Sequence, residues 1–251
     1  MPPFRSLLVV DAEKFSHHPD AHLPDLHLEI REALDQACGL SGLGREWAAA
    51  HFQQSTGDGV LAVLPLDAMV PLIGEFGDRL QDVLEAAAPK LRARDLRLRL
   101  RVALHVGMVD DQTPVTAGIS TATINVCRLL DSTPLRDALK QSDPGVTFAA
   151  VAVSSEAFEM FVSGGYTSLK PSRLTPVQVT VKQYDRPAYL YVPKPSRAQA
   201  PEDGRPSGDP EPTPPAPAPG GQTFSNMQFN GDGSQNVIGN QIGGSFRQER
   251  S

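Results

Sequence analysis

The turn Thr56-Gly57-Asp58-Gly59, set between strand-like runs at residues 47–54 and 60–64, constrains this chain more than any other feature. Asp-Gly between two such runs is a hairpin signal, because glycine accepts the positive φ that a tight reversal needs. Two strands joined in this way must pair antiparallel, which rules out an all-parallel sheet. A second strand pair follows near the end, residues 177–182 and 188–192 around Asp185-Arg186-Pro187.

Between these hairpins the hydrophobic period switches back and forth. Residues 6–11 (SLLVVD) form a short apolar run bounded by polar residues, the pattern of a buried strand. Leu26, Ile30, Ala33, Leu34 and Ala37 recur at helical spacing before Gly39, so residues 23–40 read as a helix. Residues 69–91 read as a second long helix and 96–107 as a strand. Helices are expected at 122–131 and 134–141, a strand at 146–153, and a helix at 154–162 capped by Ser154 or Ser155. Strands and helices interleave, yet two hairpins are present. The expected fold is therefore α+β, a mixed and mostly antiparallel sheet with helices packed on it. No Gly-rich phosphate loop of the GxGxxG or GxxxxGK[ST] kind occurs.

Charge and composition narrow the partners. The formal charge is −6, which argues against nucleic acid and anionic membranes, since both want a basic face. A basic run at residues 90–101 alternates arginine with leucine and reads as a strand with one wet face. Two cysteines, Cys38 and Cys127, offer no zinc spacing and fit a reducing compartment. No apolar run approaches the ~20 residues of a membrane-spanning helix. The N-terminus lacks the long apolar stretch of a signal peptide, so the cytoplasm is the expected location. His17, His18, His22 and His27 cluster without metal-site spacing.

Ten of the 23 prolines fall between Pro193 and Pro219, where large apolar residues are nearly missing. Such a segment cannot bury enough surface to offset its ordering entropy. The expected organisation is a folded domain over residues 1–193, a disordered linker over 194–222 and an Asn/Gln/Gly-rich tail over 223–251. The tail carries the near-repeat Asn236-Val237-Ile238-Gly239 and Asn240-Gln241-Ile242-Gly243, low in charge and free of proline. That is the composition of cross-β stacking segments.

Asp11 ends the first strand and Asp58 sits at the hairpin tip. In an interleaved sheet those two places can be neighbours, and two carboxylates together suit Mg²⁺ or Mn²⁺. Each aspartate also has a local backbone reason to be where it is. The surrounding residues add a resemblance. Val9-Val10-Asp11-Ala12-Glu13-Lys14-Phe15-Ser16 resembles the V-D-I-x-x-F-T opening of class III nucleotidyl cyclase domains. Residues 55–65 resemble their G-D hairpin and 100–109 their L-R-x-G-I-x-x-G-x-V strand. Residues 124–132 resemble V-N-x-A-x-R-L, and 181–191 the closing V-K-G strand pair. The five segments keep the family's order, and the chain looks closest to a stand-alone, actinobacterial-type branch.

The resemblance implies a cyclase (ferredoxin-like) fold and a homodimer that turns a nucleoside triphosphate into a cyclic nucleotide and pyrophosphate. By that likeness Asp11, Asp58 and the Ala12 carbonyl would hold metal. Asn125 would orient the ribose and Arg128 would stabilise the transition state. Lys182 would meet the triphosphate and Gln54 would stand at a base-reading position. Departures from the pattern are visible. Asn125 and Arg128 are three apart rather than four, Gly118 or Ile119 stands where an Asp reads the base, and Gln183 replaces a Gly. These leave open an unusual base choice, or a domain that binds nucleotide or only dimerises and presents its tail. The tail resembles bacterial amyloid-signalling motifs, which implies a partner carrying a matching motif.

Overall fold

A computed structural model describes residues 1–50, 52–113 and 115–198. The tail at 223–251, and the linker beyond its first five residues, lie outside the described residues.

The centre is a seven-stranded sheet in the order β2-β3-β1-β4-β5-β7-β6. Its strands are β1 (Phe4–Ala12), β2 (Phe52–Ser55), β3 (Gly59–Leu64), β4 (Leu100–Met108), β5 (Ala149–Ser154), β6 (Thr175–Val181) and β7 (Tyr184–Tyr191). Only β4 and β5 run parallel; the other five pairings are antiparallel. The α+β expectation is met. The parallel pair requires a crossover, supplied by α5 (Thr121–Leu130) and α6 (Thr133–Lys140).

Both sheet faces are covered, and strand alternation assigns residues to each. Leu8 and Val10 of β1, with Val60, Ala62, Val102 and Leu104, face α1 (Leu23–Leu40) and α4 (Gly77–Arg92). Leu7 and Val9, with Leu61, Val63 and Ala103, face α5 and α6. Asp11 shares the parity of Leu7 and Val9, so it belongs to the α5 face. No described helix is long and apolar enough to cross a membrane.

Several local expectations are corrected. Trp47 lies not in a strand but in the short helix α2 (Gly44–Ala48), with its indole Nε1 donating to Asp35 at 2.5 Å. The expected helix over 69–91 is interrupted. It begins as α3 (Met69–Pro71), passes through a π turn at Leu72–Phe76 and continues as α4. The helix at 154–162 is likewise split into α7 (Ser155–Ala157) and a π turn at Phe158–Ser163; Ser154 is its cap, accepting from the Ala157 amide. The last hairpin turns at Lys182-Gln183, and Asp185-Arg186-Pro187 lies within β7. Proline is tolerated there because the ladder with β5 stops at Ala188, leaving no bond for its missing amide to make on that side.

The arginine run is a wet face only in part: Arg92 and Arg97 are exposed. Strand β4 starts only at Leu100, and beside it Arg99 is buried and Arg101 half-buried, each against a carboxylate. Arg99 binds Glu13 at 2.8 Å and Arg101 binds Asp11 at 2.6 Å. Alternation alone reads a polar side as solvated; only the neighbouring strand reveals a paired one.

Candidate functional site

Strand β1 is sandwiched between β3 and β4, and its register fixes the site. Asp11 stands opposite Gly59 on one side and opposite Arg101 on the other. The Ala12 amide donates to the Asp58 carbonyl at 2.9 Å. Asp58, at the hairpin tip, is therefore anchored beside the end of β1. Gly59 permits the approach, since a Cβ there would meet the Val10 carbonyl oxygen at 1.8 Å. Asp11, Ala12 and Asp58, chosen from sequence, are thus brought together.

Asp11 is nearly buried and is gripped from two directions by one guanidinium. Arg101 Nε donates to Oδ1 at 2.8 Å and Nη2 to Oδ2 at 2.6 Å. Burial nevertheless pushes the Asp11 carboxyl up to about 6, against the pull of Arg101. The negative charges of Asp58 and Asp131 add to the push. Asp131 caps the C-terminus of α5 and pairs with Arg136 at 2.6 Å. The neighbourhood therefore holds more negative charge than Arg101 offsets. Arg101 is the site residue that sequence reasoning passed over. Its signal was present in the quoted Leu-Arg strand motif, but the alternation reading sent it to solvent.

The burial of Asp11, with the two like charges beside it, carries a pH prediction. A folded-state value of about 6, against 3.8 for an ordinary aspartate, means that folding favours the protonated form. The stability contributed by the group is fully present below its unfolded value and is lost as pH rises through about 6. The urea midpoint of the wild type should fall across that window relative to Asp11→Asn, by the equivalent of roughly 3 kcal/mol. Parallel pH profiles for the two proteins would contradict the assignment.

The remaining candidates are spread apart. Gln54 is exposed on the edge strand β2 and lines a cleft of ≈ 990 Å³ with Phe52, Leu61, Ile119 and Ile124. Gly118 borders the same cleft at φ +76, so close to Phe52 that a Cβ would meet its ring at 2.5 Å. Asn125 opens onto a different cavity, ≈ 790 Å³, beside His105 and Glu156. Helix α5 stands between the two, with Thr123 and Ile124 on one flank and Thr121 and Asn125 on the other. Arg128 is half-buried, and the residue four after Asn125 is Leu129, fully buried in the core. One helical turn on from Asn125, the helix therefore presents a core leucine, and Arg128 is rotated away. Lys182 is exposed at φ 53 in the β6–β7 turn. That turn lies three to four strand spacings from β1, roughly 15–19 Å. Within one chain Lys182 and Asn125 do not meet Asp11 and Asp58.

A divalent cation fits the carboxylate pair on its chemistry. Asp11 and Asp58 oxygens are hard donors, and a carboxylate offers about four lone-pair positions, of which Arg101 takes two on Asp11. Among the described residues no group of three or more His, Cys, Asp or Glu side chains is placed to hold a metal ion. Mg²⁺ commonly uses one or two carboxylates and completes its shell with substrate phosphates and water.

Solved structures share this fold. The adenylyl cyclase CyaB from P. aeruginosa aligns at a TM-score of 0.50 and 15% identity, over 82% of this chain and 100% of that one. An adenylate cyclase from Trypanosoma brucei aligns at 0.49 and 14%, over 78% and 91%. The guanylyl cyclase domain of the RhoGC fusion protein from Blastocladiella emersonii aligns at 0.46 and 11%, over 78% and 96%. No family model and no curated protein matches the chain. At 15% identity the likeness to the CyaB cyclase is one of fold alone, a mixed and mostly antiparallel sheet with helices packed on it.

Proposed function

We propose that this domain is a nucleotidyl cyclase of the class III kind, acting as a homodimer on a nucleoside triphosphate. The observation that carries the reading is the β1–β3 register, which sets the Asp11 carboxylate beside Asp58 at the end of the sheet. The five-segment likeness over residues 6–192, to a stand-alone actinobacterial-type branch, supports it.

Asp11, Asp58 and the Ala12 carbonyl would hold Mg²⁺ or Mn²⁺, which supplies Lewis-acid activation of a ribose 3′-hydroxyl and neutralises phosphate charge. Arg101 keeps the Asp11 carboxylate in one orientation through its two hydrogen bonds. The cleft beside Gln54, walled by Phe52 and Ile119, has room for a flat base, and the Gln54 amide can both donate and accept. Asn125 would orient the ribose, Arg128 would offset charge developing on the α-phosphate, and Lys182 would draw the triphosphate. Asn125 and Lys182 lie away from Asp11 in their own chain, which supports a site shared between two protomers. The folded domain would release its output through the Pro-rich linker at 194–222. The tail at 223–251 would engage a partner with a like motif by stacking.

The assay incubates the full chain with each of the four nucleoside triphosphates and Mn²⁺, reading cyclic nucleotide and pyrophosphate. No product from any of them, with a folded dimer, would overturn the enzyme reading. Complementation tests the shared site. Asp58→Ala and Asn125→Ala, each inactive alone, should regain about a quarter of wild-type activity when mixed. Half of the dimers are then mixed, and each of these holds one intact site of two.

A second reading rests on the core placement of Leu129 and the rotation of Arg128. In it the domain binds nucleotide, or only dimerises, and serves to present its tail. Nucleotide binding without product would favour it.

A further inference from the structure

We infer that a basic cavity at the root of the linker, walled by Lys14, Arg97 and Lys140, is a binding site for a small polyphosphate. The cavity measures ≈ 330 Å³ and none of Asp11, Asp58, Gln54, Asn125, Arg128 or Lys182 lines it. It stands whether or not the domain is a cyclase.

Charge is the first argument. Four cations line the cavity, Lys14, Arg97, Arg99 and Lys140, against one carboxylate, Glu13. Glu13 is committed to Arg99 at 2.8 Å. Lys14, Arg97 and Lys140 form no ion pair among the described residues. A further acid, Asp143, acts on Arg99 and caps its own turn by accepting from the Gly145 amide. A chain of formal charge −6 thus concentrates positive charge in one concave place. Such focusing draws anions, and three separate cations match the several oxygens of a phosphate chain better than one carboxylate would.

Rigidity is the second. Arg99 is buried and fixed on every side. It donates to the Thr147 carbonyl at 2.9 Å, the Leu139 carbonyl at 2.7 Å, Ser142 Oγ at 3.0 Å and Glu13 at 2.8 Å. It thereby ties the end of β1, the lead into β4, the last turn of α6 and the lead into β5. It also offsets the terminal carbonyls of α6, whose dipole would repel an anion. The backbone that carries Lys14, Arg97 and Lys140 is thereby a frame already built, so binding has only their side chains left to order.

Backbone strain is the third. Lys14 adopts φ 57 and ψ 28, a left-handed conformation that is unfavourable for a residue with a Cβ. A turn bonded from the His17 amide to the Lys14 carbonyl at 3.0 Å holds it there. Strain that persists on a cavity wall marks a place where side-chain direction matters.

The position implies a role. Lys194 pairs with Glu85 at 2.7 Å, Ser196 meets the Asp143 amide and Thr147, and the Ala198 amide donates to the Gln141 carbonyl at 2.8 Å. Ala198 itself borders the cavity, so a bound polyphosphate sits against the point where the linker departs.

The experiment is calorimetric titration of the full chain, in chelator, with pyrophosphate, tripolyphosphate, ATP and citrate. Binding of the phosphates is expected, weakened at least ~10-fold in each of Lys14→Ala, Arg97→Ala and Lys140→Ala and kept in Asp58→Asn. All three alanine sites are exposed, and a circular dichroism spectrum verifies their fold. Pyrophosphate binding as well as ATP would assign a free polyphosphate; ATP binding ~10-fold tighter would assign the phosphate tail of a nucleotide. The inference is overturned by no binding at millimolar ligand, by binding unchanged in the triple variant, by loss in Asp58→Asn, or by citrate binding equally well.

Discussion

Replacing Asp58 with alanine is expected to lower cyclic-nucleotide formation at least ~100-fold, a loss of roughly 3 kcal/mol of transition-state stabilisation. Asp58 is the hairpin residue whose carbonyl is bonded to the Ala12 amide, and Asp11 is one residue away on the same strand. Removing one of two carboxylates leaves Asp11 alone, with Arg101 already on both of its oxygens. The substitution also separates function from folding. Asp58 repels Asp11 and helps to raise its carboxyl, so its loss relieves strain in the folded chain. The thermal midpoint should therefore stay level or rise while activity falls. Activity that survives Asp58→Ala would remove the carboxylate pair from the mechanism. A fall in both would mean that the residue serves the hairpin and not the chemistry.

Gly59→Ala is expected to be the most destabilising single-methyl change in the sheet, costing about 3–5 kcal/mol. A Cβ at this position would lie 1.8 Å from the Val10 oxygen, 2.8 Å from the Val10 carbon and 2.9 Å from Asp11 Cα. All three are backbone atoms of the central strand β1, which is paired on both sides and cannot yield without breaking a ladder. Asp11 and Asp58 would be driven apart together, so activity should vanish with stability. The neighbouring turn supplies the contrast. Gly57 sits at φ +91 with nothing within 4 Å of an added Cβ, so Gly57→Ala brings backbone strain alone, about 1 kcal/mol. Urea midpoints of the two variants distinguish a steric block from a turn preference. Equal midpoints would refute the close approach of β1 and β3.

Most of the fold was legible because it rests on local periodicity. Leu26, Ile30, Ala33, Leu34 and Ala37 lie on the buried side of α1, whose bounds match the expected helix at residues 23–40. The Asp-Gly hairpin was legible because only certain residues accept its turn. Trp47 was not, because an aromatic before a strand reads as strand until the packing of Leu43 and Trp47 at helical spacing is seen. The two π turns were hidden as well. Their apolar spacing is still helical, and what shifts is the backbone hydrogen bond, which leaves no mark in composition.

The candidate site divides along the same line. Sequence by itself determined the residue types and their order: an aspartate closing an apolar strand, a second at a glycine turn, and an Asn/Arg pair three apart on a helix. It could not decide which of them meet. That was settled by strand order, a matter of pairings between residues far apart in sequence, Asp11 and Arg101 being 90 positions apart. The order β3-β1-β4 brings Asp58, Asp11 and Arg101 together and turns an alternating basic strand into buried ion pairs. The same order puts the Lys182 turn on the far edge and leaves Asn125 on the opposite flank of α5 from Gln54. The physical reason is that side-chain direction along one strand follows from alternation, whereas the charge facing it belongs to whichever strand pairs beside it.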